Sequence, residues 1–195
     1  MKELLERFPQ LNTCATDIEN ALALMVDTYK IGGKILVCGN GGSACDAEHI
    51  VGELMKGFKS PRKVTDENIS PELREKLQGA LPAISLNSQM GLMTAISNDI
   101  DAEMVFAQQV YGYARSNDLL IAISTSGNSV NIVNAVKVAK ALNVKAIALT
   151  GETGGILKEI ADVAICAPAT EPYKIQEYHL PIYHYLCEKV EERFF

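Results

Sequence analysis

The chain has 195 residues, 48% hydrophobic and 22% charged, with a formal net charge of −6. That is enough for one domain with a proper core, and an acidic chain without a Lys/Arg block is not built to track a nucleic-acid backbone. Its five cysteines, Cys14, Cys38, Cys45, Cys166 and Cys187, are odd in number and scattered through apolar runs, which suits reduced thiols better than a disulfide framework.

The first residues, MKELLERFPQ, lack the apolar stretch of a signal peptide, and no run approaches the ~18 apolar residues of a membrane span. A cytoplasmic protein with no membrane partner is expected. After Pro9, the residues Ile18, Ala21, Leu22, Met25, Val26 and Tyr29 recur at helical spacing. Asp17 and Glu19 near its start and Lys30 at its end agree with the helix dipole, and Gly32-Gly33 stop it.

The next stretch, Lys34–Glu53, is the most informative. It reads as a buried strand Ile35–Cys38, a glycine turn Gly39-Asn40-Gly41-Gly42-Ser43, and a helix opening near Ser43. A glycine turn feeding a helix N-terminus is an anion site. On that helix His49 and Glu53 stand at i and i+4 and share a face. The turn approximates the Gly-x-Gly-x-x-Gly/Ala of dinucleotide sites, but the following strand ends Leu86-Asn87-Ser88 without the required acid. A phosphorylated substrate fits better than a dinucleotide.

Lys59–Ala80 is polar and carries Lys59, Arg62 and Lys63, followed by Ser70-Pro71-Glu72, the signature of a short helix through about Gln78. It reads as a surface insertion, with a lid of basic residues over the substrate as the sharper alternative. Four further apolar runs, Leu81–Leu86, Leu119–Ser124, Val144–Thr150 and Asp162–Ala167, are apolar on both faces, as in a covered parallel sheet. Helical segments near Gln89–Ser97, Ala102–Ala114, Val130–Leu142 and Gly155–Ala161 separate them. The alternation predicts one domain, a three-layer α/β/α sandwich around a five-stranded parallel sheet with long terminal helices, with ligands at the carboxyl ends of the strands.

At one such end, Ser124-Thr125-Ser126-Gly127-Asn128-Ser129 places four hydroxyls and a glycine before a helix. One N-cap needs one hydroxyl. Four suit a phosphate monoester held on the helix dipole. No Gly-x-x-x-x-Gly-Lys-Ser/Thr occurs, so this is not a nucleotide P-loop. The last segment, Tyr173–Phe195, reads as a helix and holds His179 and His184, the other two histidines, as well as Gln176. Together with His49 and Glu53 these offer imidazole, carboxylate and amide donors of the kind that bind zinc.

The motifs GNGGSACDAEHIVGE, SNDID, STSGNS and KIQEYHLPIYH together closely resemble those of phosphoheptose isomerases, members of the sugar isomerase (SIS) fold, over nearly all the chain outside Lys59–Ala80. The resemblance implies a single flavodoxin-like SIS domain in a homotetramer. It implies conversion of sedoheptulose 7-phosphate into D-glycero-D-manno-heptose 7-phosphate. One zinc ion would fall to His49, Glu53, Gln176 and His184. Substrate contacts would fall to Asn40, Gly41, Gly42, Glu53, Asn98, Asp99, Ser124, Thr125, Ser126, Ser129 and Gln176. For an enediol reaction Glu53 is the better base and His184 the better acid.

Gln176 and His184 lie eight residues apart, about 12 Å along a straight helix. The expectation is therefore a site across a subunit interface, with Gln176 and His184 from different copies, unless Pro181 kinks the helix. The family commonly has Gly-Arg-aromatic after the Glu53 helix, whereas this chain has Lys56-Gly57-Phe58. That departure puts the identity of the sugar in question more than the reaction type. The alternatives are an isomerase of another phosphosugar and a non-catalytic relative that binds a replication initiator.

Overall fold

A computed structural model describes the whole chain, Met1–Phe195. Five parallel strands form one sheet: β1 (Ile35–Gly39), β2 (Ala83–Ser85), β3 (Leu119–Ile123), β4 (Lys145–Thr150) and β5 (Val163–Cys166), in the order β2-β1-β3-β4-β5. The register sets Ile35 against both Ala83 and Leu119, and Gly39 against Ile123. This is the doubly wound order in which the winding reverses between β1 and β3, and ligands sit in the crevice outside that switch. The glycine turn follows β1 and the serine loop follows β3, so both candidate cradles flank it.

Nine helices flank the sheet. They are α1 (Lys2–Arg7), α2 (Ala15–Lys30), α3 (Gly42–Met55), α4 (Pro71–Lys76), α5 (Met90–Ile96), α6 (Val105–Tyr113), α7 (Val130–Ala141), α8 (Gly155–Ile160) and α9 (Pro172–Phe194). The strands are buried on both faces, and their side chains divide by parity. Ile35, Val37, Leu119, Ile121, Ile123, Ile147 and Leu149 pack under α2, α3 and α9. The opposite parity carries smaller residues, among them Ala122, Ala146 and Ala148, which pack against Ala135 and Ala139 of α7. Small residues on both sides let α7 lie close to the sheet, and α5, α6 and α8 complete the cover of that face through Ile96, Phe106 and Leu157.

The polar N-terminus adds α1 and a 3-10 turn over Pro9–Cys14, neither expected from the periodicity. The run after Leu81 yields only a three-residue strand on the sheet edge. Ser97–Asp101 forms a π-helical turn rather than the end of an α-helix. Pro181 lies inside α9, which runs continuously through it.

The insertion is tied down at its base. Arg62 is buried at φ 39°, an uncommon backbone conformation for a non-glycine residue. Its Nε donates to Glu191 Oε1 at 2.7 Å, and its Nη atoms donate to the carbonyls of Leu54 (2.6 Å) and Glu53 (3.0 Å) at the end of α3. Glu191, from the last turns of α9, also accepts the backbone N–H groups of Phe58, Lys59 and Ser60 at 2.8–3.0 Å. Burial alone would raise this carboxyl, but the backbone N–H donors and the guanidinium outweigh it and hold the group below the usual carboxylate range. Of the three basic residues expected of a lid, Arg62 is structural, held in this knot, while Lys59 is exposed and makes a surface pair with Glu188 at 2.8 Å.

Candidate functional site

Two helices build the site. α3 and α9 run side by side in the same direction, which follows from their contacts: Gly42 meets Gln176, His49 meets His184, and the loop after α3 meets Glu191. The glycine turn is shaped by backbone needs. Gly41 sits at φ 57°, and a Cβ on Gly42 would lie 2.8 Å from the Gln176 amide. Gly39 is held by Asn87, whose side chain accepts from its N–H at 3.2 Å and donates to its carbonyl at 2.7 Å.

Two turns into α3, His49 is the centre of a converging group. Its Nε2 lies 3.3 Å from Glu53 Oε1 and 3.4 Å from His184 Nε2. Its Nδ1 lies 2.9 Å from the Tyr183 hydroxyl, which in turn donates to Asp46 Oδ1 at 3.2 Å. The tyrosine has one proton to give, and the carboxylate can only accept. His49 Nδ1 must therefore donate to the phenol oxygen, which leaves the Nε2 lone pair bare. Asp46 and Tyr183 were not anticipated from the sequence, although Asp46 stands at i−3 from His49 on the same helix. They orient the imidazole as a hydrogen-bonded carboxylate orients a metal-bound histidine.

A bare imidazole nitrogen beside a carboxylate oxygen is a pair of acceptors that calls for a proton or a cation between them. Their separation is also the edge of a tetrahedron of zinc ligands at 2.0–2.1 Å, about 3.3–3.4 Å. The pairs His49–Glu53 and His49–His184 therefore each have the donor type and spacing of two ligands of one ion. The fit is through His49 as common neighbour: no group of three or more His, Cys, Asp or Glu side chains is arranged as a ready-made metal site. Gln176 is not among them, because its amide lies over Gly42 at the start of α3. Of the two residues expected from different copies, His184 is the one that meets His49 within the same chain. The separation of Gln176 from His184 stands, since the helix between them is unbroken.

Burial, and secondarily the neighbouring His49, hold His184 below the usual histidine range. It is neutral near pH 7 and donates as an N–H rather than as an imidazolium. Phe58 packs against its ring at 5.5 Å between centroids. Lys56 Nζ contacts the other Glu53 oxygen at 2.9 Å. His179 has a different role: fully buried, its Nε2 donates to the Thr150 carbonyl at 3.1 Å and its Nδ1 has no partner. Burial lowers it to about 4, so it is a neutral core residue.

At the end of β3 the serine loop closes on itself. Ser124 Oγ donates to Ser129 Oγ at 3.0 Å, and Ser126 Oγ accepts the Asn128 N–H at 3.1 Å. Ser129 occupies the N-cap of α7 yet makes no side-chain cap hydrogen bond, so simple capping does not account for it. Gly127, at φ 65°, passes so close to the Gly154 carbonyl that a Cβ would stand 2.0 Å from it. Asn40 and Asn131 exchange two hydrogen bonds at 2.9 and 3.0 Å, which joins the glycine turn to the first turn of α7. Asn98 and Asp99 are exposed in the π-turn and bond to each other at 2.7 Å, and no side chain of the His49 group touches them.

The chain matches the family described as SIS domain over residues 1–151. A phosphoheptose isomerase of Helicobacter pylori is 40% identical over 193 residues, covering 99% of this chain and 91% of that protein. One from Akkermansia muciniphila is 38% identical over 192 residues, covering 98% and 93%. Among solved structures, the phosphoheptose isomerase GmhA of Neisseria gonorrhoeae superposes with a TM-score of 0.81 at 32% identity, covering 98% of this chain and 94% of its own. That of Francisella tularensis superposes with a TM-score of 0.82 at 33% identity, covering 95% and 91%.

Proposed function

The chain belongs to the phosphoheptose isomerase branch of the SIS domain family and is an isomerase, and we propose that it interconverts sedoheptulose 7-phosphate and D-glycero-D-manno-heptose 7-phosphate through an enediol. The observation that carries this reading is that Glu53 and His184 both lie against the Nε2 of an oriented His49, on the helix that starts at the switch crevice and the one beside it. Seven residues separate Gly42 from His49, about 10 Å of helix. That spacing is comparable with an extended seven-carbon sugar whose phosphate sits between the glycine turn and the serine loop.

In this reading Ser124, Thr125, Ser126 and Ser129 hold the phosphate, and Asn40, Gly41, Gly42 and Gln176 hold the sugar chain near the start of α3. The Glu53 carboxylate removes the proton from carbon 1 of the ketose. The His184 N–H gives a proton to the oxygen on carbon 2. Glu53 then returns its proton to carbon 2 while the hydroxyl proton on carbon 1 passes to His184, which restores both residues and completes the aldose. A bound divalent ion, zinc by the donor set, would polarise the carbonyl oxygen. His49, Glu53 and His184 would hold it, and Gln176 would complete the set from a neighbouring copy. Exposed Met90, Ile100, Tyr111 and Tyr173 support an assembly in which copies cover one another, with a homotetramer as the expected form. Asn98 and Asp99 would reach the sugar across such an interface. The five free cysteines support a cytoplasmic setting, and no helix is long and apolar enough to cross a membrane.

Purified protein supplied with sedoheptulose 7-phosphate, with and without a chelator, tests the reading. Turnover lost on chelation and regained with zinc is expected. Absence of turnover with the metal bound shifts the substrate to another phosphosugar. Glu53→Gln is expected to abolish turnover while the phosphosugar still binds, and loss of binding instead makes Glu53 a ligand and not the base.

A further inference from the structure

The insertion borders an open cleft of about 880 Å³ that the chemistry above does not use. Its wall carries Lys56, Lys63, Arg74 and Lys76 against a single carboxylate, Glu75, on a chain whose net charge is −6. Lys63 and Arg74 have no carboxylate within ion-pair reach, although Arg74 is half-buried. Lys76 is held only by an exposed i,i+4 pair with Glu72, which is cheap to break. Between the cations stand Met55, Val64 and Leu77, an apolar surface that a lone inorganic anion would leave uncovered. The volume is that of a small-molecule site and not of an ion site.

We propose that this cleft binds a phosphorylated ligand with an apolar body, of the nucleoside diphosphate class. Lys63 and Arg74 take the phosphoryl oxygens, and the apolar wall takes the base. Lys56 joins them by leaving Glu53: its ammonium lies 2.9 Å from Glu53 Oε2 and its side chain also lines the cleft. An anion in the cleft competes with Glu53 for that one cation. Occupancy therefore reaches the His49 group through a single side chain, without any movement of the sheet. The binding step stands whether or not the protein acts on a heptose.

The test is a fluorescence titration of the full-length protein with the N-methylanthraniloyl derivative of ADP. Saturable binding that weakens with salt is expected. Arg74→Gln is expected to weaken it about tenfold or more, the loss of one charge-assisted hydrogen bond. Lys63→Gln with Arg74→Gln is expected to weaken it further, with the melting temperature unchanged because neither side chain is paired. Glu53→Gln, which frees Lys56, is expected to tighten binding several-fold. Absence of saturable binding, or equal binding by the double variant, overturns the site. Displacement by pyrophosphate as effective as by ADP overturns the role of the apolar wall. Unchanged affinity in Glu53→Gln overturns the link through Lys56.

Discussion

His179 makes acid the sharpest probe of this core. Its imidazole is buried at the junction of α9 with the end of β4, donating to the Thr150 carbonyl. Burial lowers it from 6.5 to about 4. The folded state therefore refuses a proton that the unfolded chain accepts, and stability falls as pH drops from 6.5 towards 4. Integrating between pH 7 and pH 4.5 gives a loss of about 2.5 kcal/mol from this one group. His179→Gln keeps a donor for Thr150 but cannot titrate. Urea unfolding followed by circular dichroism, at fixed protein concentration and at both pH values, should show the parent losing about 2.5 kcal/mol more than the variant. Equal losses would show that the imidazole is either solvated or already charged in the fold, and the reasoning from its burial would fail.

Other outcomes follow from the contacts around the site. Tyr183→Phe removes the hydroxyl between Asp46 and His49, and turnover should fall about 10- to 100-fold with the fold retained; unchanged turnover would remove Tyr183 from the orienting chain. Ser129→Ala should cost no more than about 1.5 kcal/mol of unfolding free energy, the worth of its one hydrogen bond from Ser124, while KM rises about tenfold for a phosphorylated substrate. A larger stability loss with unchanged KM would restore the capping role. Arg62→Met leaves Glu191 buried without its cation and should cost about 3–5 kcal/mol in denaturant unfolding, and adding Glu191→Leu should not recover it, because the N–H groups of Phe58, Lys59 and Ser60 then lose their acceptor. A cost below about 1 kcal/mol would mean that the backbone N–H groups alone satisfy the carboxylate.

The strands, their parallel arrangement and the two loops at the switch crevice were legible because each leaves a local signature: an apolar run, a glycine turn, a dense set of hydroxyls. The pairing of His49 with Glu53 was legible for the same reason, since helical spacing fixes it. What the sequence concealed depends on how distant segments dock. Tyr183 looked like one more aromatic on a helix, and only the packing of α9 against α3 turns its hydroxyl towards His49 and Asp46. Arg62 looked like part of a mobile basic cluster until Glu191, 129 residues later, met it. The eight residues between Gln176 and His184 pointed to two copies sharing the site, without saying which of the two would sit with His49 and Glu53. The arithmetic holds, but it separates Gln176 from the group rather than His184.

The parallel course of α3 and α9 has a consequence for how the protein is made. Gly42–Glu53 leaves the ribosome with more than 120 residues still to come before Gln176, so neither the orienting tyrosine nor His184 exists when the glycine turn first forms. The bulky sheet face under α2 and α3 stays bare until Ile182, Leu186 and Val190 arrive to cover it. During that interval the nascent chain carries an uncovered apolar surface of the kind that aggregates or engages chaperones. A stop codon between Pro172 and Ile182 would leave a chain with a complete sheet, an exposed core and no Glu191 to fasten Arg62. The docking of α9 thus covers the core and makes the His49 group whole in the same event.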